Sequence, residues 1–162
     1  MSRSIPRAKG PLVPLIRMIV EQIQRVAWLL APPILRIALS LPFFRSGLTR
    51  WDGFLSLAPA TLFLFENQFK LHILGIAYEF PEPDTIALLV ATAEIMLPVL
   101  VVFGLATRFA ALALLIMTGV IQLVFPDGWA NFHLYWASLA IGIMVLGPGP
   151  LSLDHLINRW CD

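Results

Sequence analysis

The sequence predicts an all-α integral membrane protein, a four-helix bundle with about four transmembrane helices. We also expect an N-terminal amphipathic helix and an interfacial helix in the loop after the first span. Of the 162 residues, 59% are apolar and only 13% are charged, whereas a soluble domain carries about a quarter charged residues. The apolar residues also form four blocks, at 26–44, 85–106, 109–125 and 132–147, and a spanning helix needs about 20 such residues.

The segment before the first block has the pattern of an amphipathic helix over 12–30. Its polar residues fall on one face at helical spacing, with apolar residues opposite: Arg17, Glu21, Gln24 and Arg25. We predict that this helix lies on the membrane surface, and its direct continuation into the first span is the alternative. The chain then divides into a cytoplasmic or interfacial segment, 1–30, and a four-span membrane domain, 31–160.

The distribution of charge predicts the topology. Residues 1–36 carry six basic side chains and one acid, whereas residues 52–84 carry five acids and one lysine. The positive-inside rule therefore places both termini in the cytoplasm and the acidic loop outside.

The regions outside the spans also contain structural signals. In the acidic loop we predict a helix after Pro59 and an extended linker over 78–84, because prolines disfavour helix in the residues before them. Gly147 to Pro150 should end the last span. Ser152 should then cap a short helix over 153–160, with Asp154 in its first turn.

Four polar residues fall within or at the edges of the spans, where ionisable groups are costly and need partners: Arg36, Glu94, Gln122 and His133. We predict that Arg36 pairs with Glu94, and that Arg45 and Arg50 extend to the outer headgroups. The pair could fix helix packing alone, or Glu94 could serve a ligand or a proton. These four residues are the candidate binding cluster.

The sequence contains no residue pattern typical of a catalytic site, a metal site, a haem site or a nucleic-acid-binding surface. No nucleophile–base–oxyanion set is recognisable, so we predict no catalytic residues and no stand-alone activity. With one cysteine, Cys161, and no Cys/His cluster, we predict no metal site, zinc or iron–sulfur cluster. Haem needs a second intramembrane histidine, so none is predicted. The net charge of +1 argues against nucleic acid as a partner.

The stretch from Leu35 to about Arg159 resembles the DoxX family of small bacterial membrane proteins. The resemblance rests on an ordered set of short motifs: Leu35-Arg36, the stretch Arg45 to Trp51, Ala93-Glu94, Gly104 to Arg108, and Gly147 to Asp154. One departure is Arg50, where family members often have lysine. The first 30 residues lie outside the resemblance.

The resemblance implies a multi-pass protein of the bacterial cytoplasmic (inner) membrane. The family is named after a subunit of an archaeal thiosulfate:quinone oxidoreductase, and other members resemble partners of redox- or metal-stress systems. We therefore expect an accessory or scaffold subunit that contacts the lipid bilayer and another membrane or periplasmic protein, in an unknown oligomeric state. A quinone- or lipid-binding oxidoreductase subunit is the first alternative, with quinone the one possible cofactor. A small proton or solute carrier is the second.

Overall fold

The computed structural model describes residues 12–161, so residues 1–11 of the predicted N-terminal segment lie outside it. Six α-helices and two short β-hairpins follow one another along this part of the chain. The helices are α1 (Leu12–Leu48), α2 (Pro59–Asn67), α3 (Pro83–Phe103), α4 (Thr107–Val124), α5 (Leu134–Leu146) and α6 (Leu153–Cys161). The strands are β1 (Trp51–Gly53), β2 (Ser56–Leu57), β3 (Lys70–Ile73) and β4 (Ile76–Glu79).

Four helical segments are long and apolar enough to cross a membrane, which confirms the predicted all-α membrane bundle. They are Val13–Leu48, Pro83–Phe103, Thr107–Val124 and Pro126–Leu146. The last segment includes a π-helical turn, Trp129–His133, that leads directly into α5. Because each span is antiparallel to the next along the chain, the loops collect at two ends of the bundle. We call these the hairpin end (49–82 and 125–133) and the α6 end (104–106 and 147–161).

Helix α1 is continuous over 37 residues, which corresponds to about 55 Å at 1.5 Å per residue. The amphipathic segment therefore runs directly into the first span, the second of the two predicted arrangements. Residues 13–30 are exposed throughout, and the buried positions of α1 begin at Pro32. The hydrocarbon core is only about 30 Å thick, so the first half of α1 extends beyond the bundle.

The core of the bundle is built from small, aliphatic and aromatic side chains on the facing sides of α1, α3, α4 and α5. Its buried members are Leu39, Phe43, Val101, Ala110, Ala111, Leu114, Ala140 and Ile143. One face of α3 carries a stripe of mostly small residues at helical spacing, and all of its members are buried: Ala87, Ala91, Glu94 and Pro98. Small residues in such a stripe let helix backbones approach closely in a membrane.

The register of α1 against α3 is fixed by three contacts. Ser40 Oγ donates to the carbonyl of Pro98 at 3.2 Å, and Ser46 Oγ donates to Glu94 Oε2 at 3.2 Å. Gly47 lies so close to Glu94 that a Cβ atom there would stand 3.0 Å from the Glu94 carbonyl carbon. The two helices therefore run antiparallel, with Ser46 and Gly47 level with Glu94 and Ser40 level with Pro98.

At the hairpin end, α2 occupies the position predicted for a helix after Pro59. The predicted linker over 78–84 is wrong at both ends. Tyr78 and Glu79 belong to β4, and α3 begins at Pro83, where proline suits the first helical turn. The hairpins were not predicted, because strands of two to four residues are too short to show a period-2 pattern.

At the α6 end, α5 stops at Leu146 and the predicted cap of α6 is confirmed, since Ser152 Oγ accepts the backbone N–H of His155 at 3.1 Å. Asp154 contacts a different helix terminus. Its carboxylate accepts the N–H groups of Ala106 and Thr107 at 2.8 and 2.9 Å, and the Thr107 hydroxyl at 2.7 Å. Asp154 thus caps the N-terminus of α4 and docks α6 on the turn between α3 and α4.

Candidate functional site

A cavity of about 270 Å³ lies inside the bundle near the hairpin end. Helices α1, α3 and α4, the helix α2 region and the start of α5 all contribute to its wall. Most of the wall is aromatic or aliphatic, and its aromatic members are Phe43, Phe65, Phe69, Phe80, Phe125 and Trp136. Four polar side chains also line it, namely Ser46, Arg50, Glu94 and His133. An apolar body with a few fixed polar groups is the usual composition of a small-molecule site.

The strongest polar contact of the cavity joins Arg50 and Glu94. Arg50 Nε donates to Glu94 Oε2 at 2.7 Å and Nη2 donates to Oε1 at 3.1 Å, so the pair is bidentate. The Glu94 side chain is only 2% exposed and that of Arg50 is 15% exposed. Ser46 adds a third donor to the Glu94 carboxylate. Paired charges with satisfied hydrogen bonds are the arrangement in which a carboxylate tolerates burial.

Arg50 reaches Glu94 because the chain turns sharply after α1. The Arg50 N–H donates to the Gly47 carbonyl at 3.1 Å, which ends the helix in a tight turn. The Arg50 carbonyl accepts from Ala58 N at 2.9 Å and from Thr61 Oγ1 at 3.2 Å, which ties it to the start of α2. The guanidinium also lies 5.3 Å from the ring centroid of Phe65, within cation–π range.

His133 forms the second polar element of the cavity. Its Nδ1 lies 2.6 Å from Gln122 Oε1, and Gln122 Nε2 donates to the Pro126 carbonyl at 2.8 Å. Since an amide oxygen only accepts, Nδ1 must carry the proton, and the neutral ring then presents Nε2 as an acceptor. Within 12–161, no group hydrogen-bonds to Nε2. The ring also packs against Trp136, with centroids 5.3 Å apart.

The predicted pairing of Arg36 with Glu94 is wrong, as is the prediction that Arg50 extends to the headgroups. Arg36 donates to the carbonyls of Pro32, Val102 and Leu151 at the α6 end. The antiparallel register explains the error, because it sets Arg36 level with Val102, some eight residues from Glu94 along α3. That separation is about 12 Å at 1.5 Å per residue.

The structure therefore brings together part of the predicted cluster. Glu94 and His133 line one cavity, and Gln122 supports His133 from behind, whereas Arg36 belongs to the opposite end. Sequence reasoning missed Arg50 as the partner of Glu94. One signal was available in the sequence, the two phenylalanines Phe65 and Phe69 spaced four residues apart. In the structure the Arg50 guanidinium lies 5.3 and 5.9 Å from their ring centroids.

The polar cluster at the α6 end is a structural joint between helices. Arg36 is 2% exposed and reaches carbonyls of three segments, including Leu151 just before α6. Burial raises the pKa of Asp154, but the hydrogen bonds from Thr107 and Ala106 and the nearby Arg36 guanidinium outweigh it, so its pKa lies below the usual value. Asp154 is therefore a carboxylate at neutral pH, as its capping contacts require.

Of two cavities in the described structure, the one at the hairpin end is better suited to bind a small molecule. No group of three or more His, Cys, Asp or Glu side chains able to hold a metal ion occurs in the part of the chain that the structure describes. A larger hollow of about 630 Å³ lies beside Trp28 and Pro32, but its polar lining residues are all exposed: Glu21, Gln24 and Arg25. The smaller cavity, with its buried polar groups, is the candidate site.

Comparison with known proteins places the chain in a family. The model of the DoxX family matches residues 31–127, more than half of the chain, and this range includes Arg50, Glu94 and Gln122. A protein of Haemophilus influenzae, described as uncharacterized, is 31% identical over 141 residues, which cover 78% of this chain and 82% of the relative. No solved structure matches significantly. On these matches and its four apolar helices, the chain belongs to the DoxX family of membrane proteins.

Proposed function

We propose that this protein is an accessory subunit without stand-alone catalysis, and that it holds a quinone or a lipid in the hairpin-end cavity. The observation that carries the proposal is the cavity itself, an aromatic hollow of about 270 Å³ that is lined by a buried ion pair and by His133. Its volume lies just below the range of about 300–1,000 Å³ typical of ligand pockets. It therefore suits a single ring or headgroup, with the tail of the ligand outside.

The exposure of the cavity wall supports entry from the bilayer. Val90 on α3 and Val120 on α4 both line the cavity, and the tight turn at 104–106 places them at the same level of an antiparallel pair. Val120 is 39% exposed and Phe125 is 49% exposed, so this wall reaches the lipid-facing surface. A lipid-soluble ligand could enter between α3 and α4 and leave its chain in the membrane.

The polar groups of the cavity supply both kinds of hydrogen bond. His133 Nε2 is an acceptor in the tautomer that Gln122 selects, and Arg50 has N–H groups beyond the two that it gives to Glu94. A quinone carbonyl would pair with Arg50, and a quinol or lipid hydroxyl would pair with His133. Glu94 is held by Arg50 and Ser46, and no observation favours its use as the titrating group of a carrier.

The proposed compartment is the cytoplasmic membrane of a bacterium, with both termini in the cytoplasm and the hairpin end outside. The basic residues of 1–36 and the five acids of 52–84 support this orientation. A link to a redox- or stress-response system, and a protein partner in it, rest on the family resemblance.

The proposal is tested by ligand retention. The protein is purified in a mild detergent, and bound quinone, lipid and protein are identified by mass spectrometry. Binding of a short-chain benzoquinol, whose hydroxyl can donate to His133 Nε2, is then titrated under reducing conditions for the wild type, His133→Leu and the control His155→Leu, which replaces an exposed histidine at the other end. Loss of one hydrogen bond predicts about tenfold weaker binding for His133→Leu, with His155→Leu unchanged.

Equal affinity in all three proteins, or no retained quinone or lipid, would refute the cavity as a binding site. A stoichiometric protein partner together with an empty cavity would instead favour the scaffold alternative.

A further inference from the structure

Two β-hairpins at the hairpin end present large, exposed apolar side chains at their tips. At the tip of β1–β2, Phe54 is 95% exposed and Leu55 is 76% exposed. At the tip of β3–β4, Leu74 is 98% exposed, with Ile73 and Ile76 beside it. Exposed apolar clusters of this kind mark contact with a partner or a membrane.

The backbone of both tips makes these residues unusual. Leu55 has a φ of 59° and Leu74 a φ of 52°, in the left-handed region that glycine and asparagine occupy readily. This backbone conformation is unfavourable for leucine, so local backbone preference does not explain a leucine at either tip. Its apolar side chain must therefore serve a contact outside the hairpin.

The hairpin β3–β4 is polar at its base and apolar at its tip. Lys70 and Glu79 face each other across the base, with Nζ and Oε1 3.2 Å apart, whereas Ile73 and Ile76 face each other next to the turn. The tip residues 73–76 carry no charge. An element that spans the boundary between water and lipid has this gradient.

The position of the hairpin continues the lipid-facing surface of α4. His72 Nδ1 donates to the Leu123 carbonyl at 3.2 Å, and the rings of Phe69 and Phe125 meet at 5.4 Å. The hairpin thus packs on the last turn of a candidate membrane span, beside exposed apolar side chains such as Leu123 and Val120. Likewise β1 begins three residues after the end of α1.

We propose that the two hairpin tips insert into the interfacial region of the leaflet at the hairpin end, and that they anchor the segment 49–82 on the membrane surface. The lipid surface is the occupant that the apolar tips, the polar base and the continuity with α4 require. The insertion would hold α2, and with it Phe65 and Phe69, over the cavity.

The test measures whether lipid or water surrounds each tip. In a Cys161→Ser background, nitroxide labels are attached at Phe54→Cys and Leu74→Cys in reconstituted liposomes. Collision with oxygen, which concentrates in lipid, is compared with collision with a water-soluble nickel chelate. Leu89→Cys, exposed on the apolar helix α3, is the lipid control, and Glu66→Cys, exposed on α2, is the water control.

We expect the ratio of oxygen collisions to nickel collisions at both tips to be close to the ratio at Leu89. Ratios like that at Glu66 would overturn the proposal, and labels that neither reagent reaches would also overturn it, because they would indicate cover by protein. If Leu74→Cys does not fold, Ile76→Cys reports on the same tip.

Discussion

Arg50 and Glu94 form a bidentate ion pair that joins the turn after α1 to the middle of α3, with Nε and Oε2 2.7 Å apart. The two partners are unequally buried, since Glu94 is 2% exposed and Arg50 is 15% exposed. Removing either side chain leaves the other charge without its counterpart at the cavity wall. Because Glu94 is the more buried partner, leaving Glu94 unpaired should lower the stability of the fold more than leaving Arg50 unpaired.

We therefore predict that Arg50→Gln destabilises the protein by about 3–5 kcal/mol, the usual cost of stranding a buried charge. Glu94→Gln should cost less, because Arg50 retains some exposure and its contact with Phe65. The readout is thermal unfolding in detergent. Arg45→Gln is the matched control on an exposed arginine of α1, and the prediction fails if it destabilises as much as Arg50→Gln.

Arg36 should matter for a different reason, as the joint that holds the α6 end together. Arg36→Met removes donors from three carbonyls, those of Pro32, Val102 and Leu151. We expect a loss of about 2–3 kcal/mol, since buried acceptors are left unsatisfied. Hydrogen exchange should also become faster in 148–160.

Arg36→Lys should recover little, because an ammonium group cannot reproduce the fork of a guanidinium. Arg25→Met, at an exposed position of α1, is the control. If exchange in 148–160 stays as slow in Arg36→Met as in the wild type, Arg36 does not hold this joint.

The sequence was sufficient for the number of spans, because four apolar blocks and the cost of exposing backbone to lipid leave few alternatives. It also predicted the cap at Ser152. It was insufficient for the partner of Glu94, because helical phase says which residues share a face but not the register of α1 against α3. Arg50 also lies beyond the end of α1, where helical spacing no longer predicts the direction of a side chain. Its position depends instead on contacts with α2.

Two glycines in different surroundings, Gly104 and Gly119, allow the effect of close packing on stability to be measured apart from the effect of helix propensity. Gly104 has a φ of 71°, and a Cβ atom there would meet the Arg36 guanidinium and the Ser152 side chain. Gly119 lies within α4, and a Cβ atom there would meet nothing within 4 Å. We predict that Gly104→Ala costs about 2–4 kcal/mol, through its left-handed backbone and the overpacking.

Gly119→Ala should be neutral or stabilising by up to about 1 kcal/mol, because alanine favours helix more than glycine does. Both free energies come from unfolding of the purified variants under one set of conditions. Equal effects at the two positions would show that the packing at Gly104 does not constrain the fold.

Asp154 gives the protein a predictable response to acid. Its pKa is lowered in the folded protein, through the Thr107 and Ala106 hydrogen bonds and Arg36, against the opposing effect of burial. A carboxylate with a lowered pKa stabilises the fold fully above its unfolded pKa of about 3.9, and this contribution is lost as the pH falls through the folded pKa. We predict that Asp154→Asn is less stable than the wild type by about 1–2 kcal/mol above pH 5, through loss of a charged cap.

The same linkage requires the gap between wild type and Asp154→Asn to close as the pH falls below about 4. The measurement is unfolding of both proteins in detergent over a series of pH values. Asp127→Asn, at an exposed aspartate of the hairpin end, controls for the removal of one carboxylate. A gap that stays constant down to the lowest pH would mean that the charge of Asp154 contributes nothing, and that its contacts with α4 act only as uncharged hydrogen bonds.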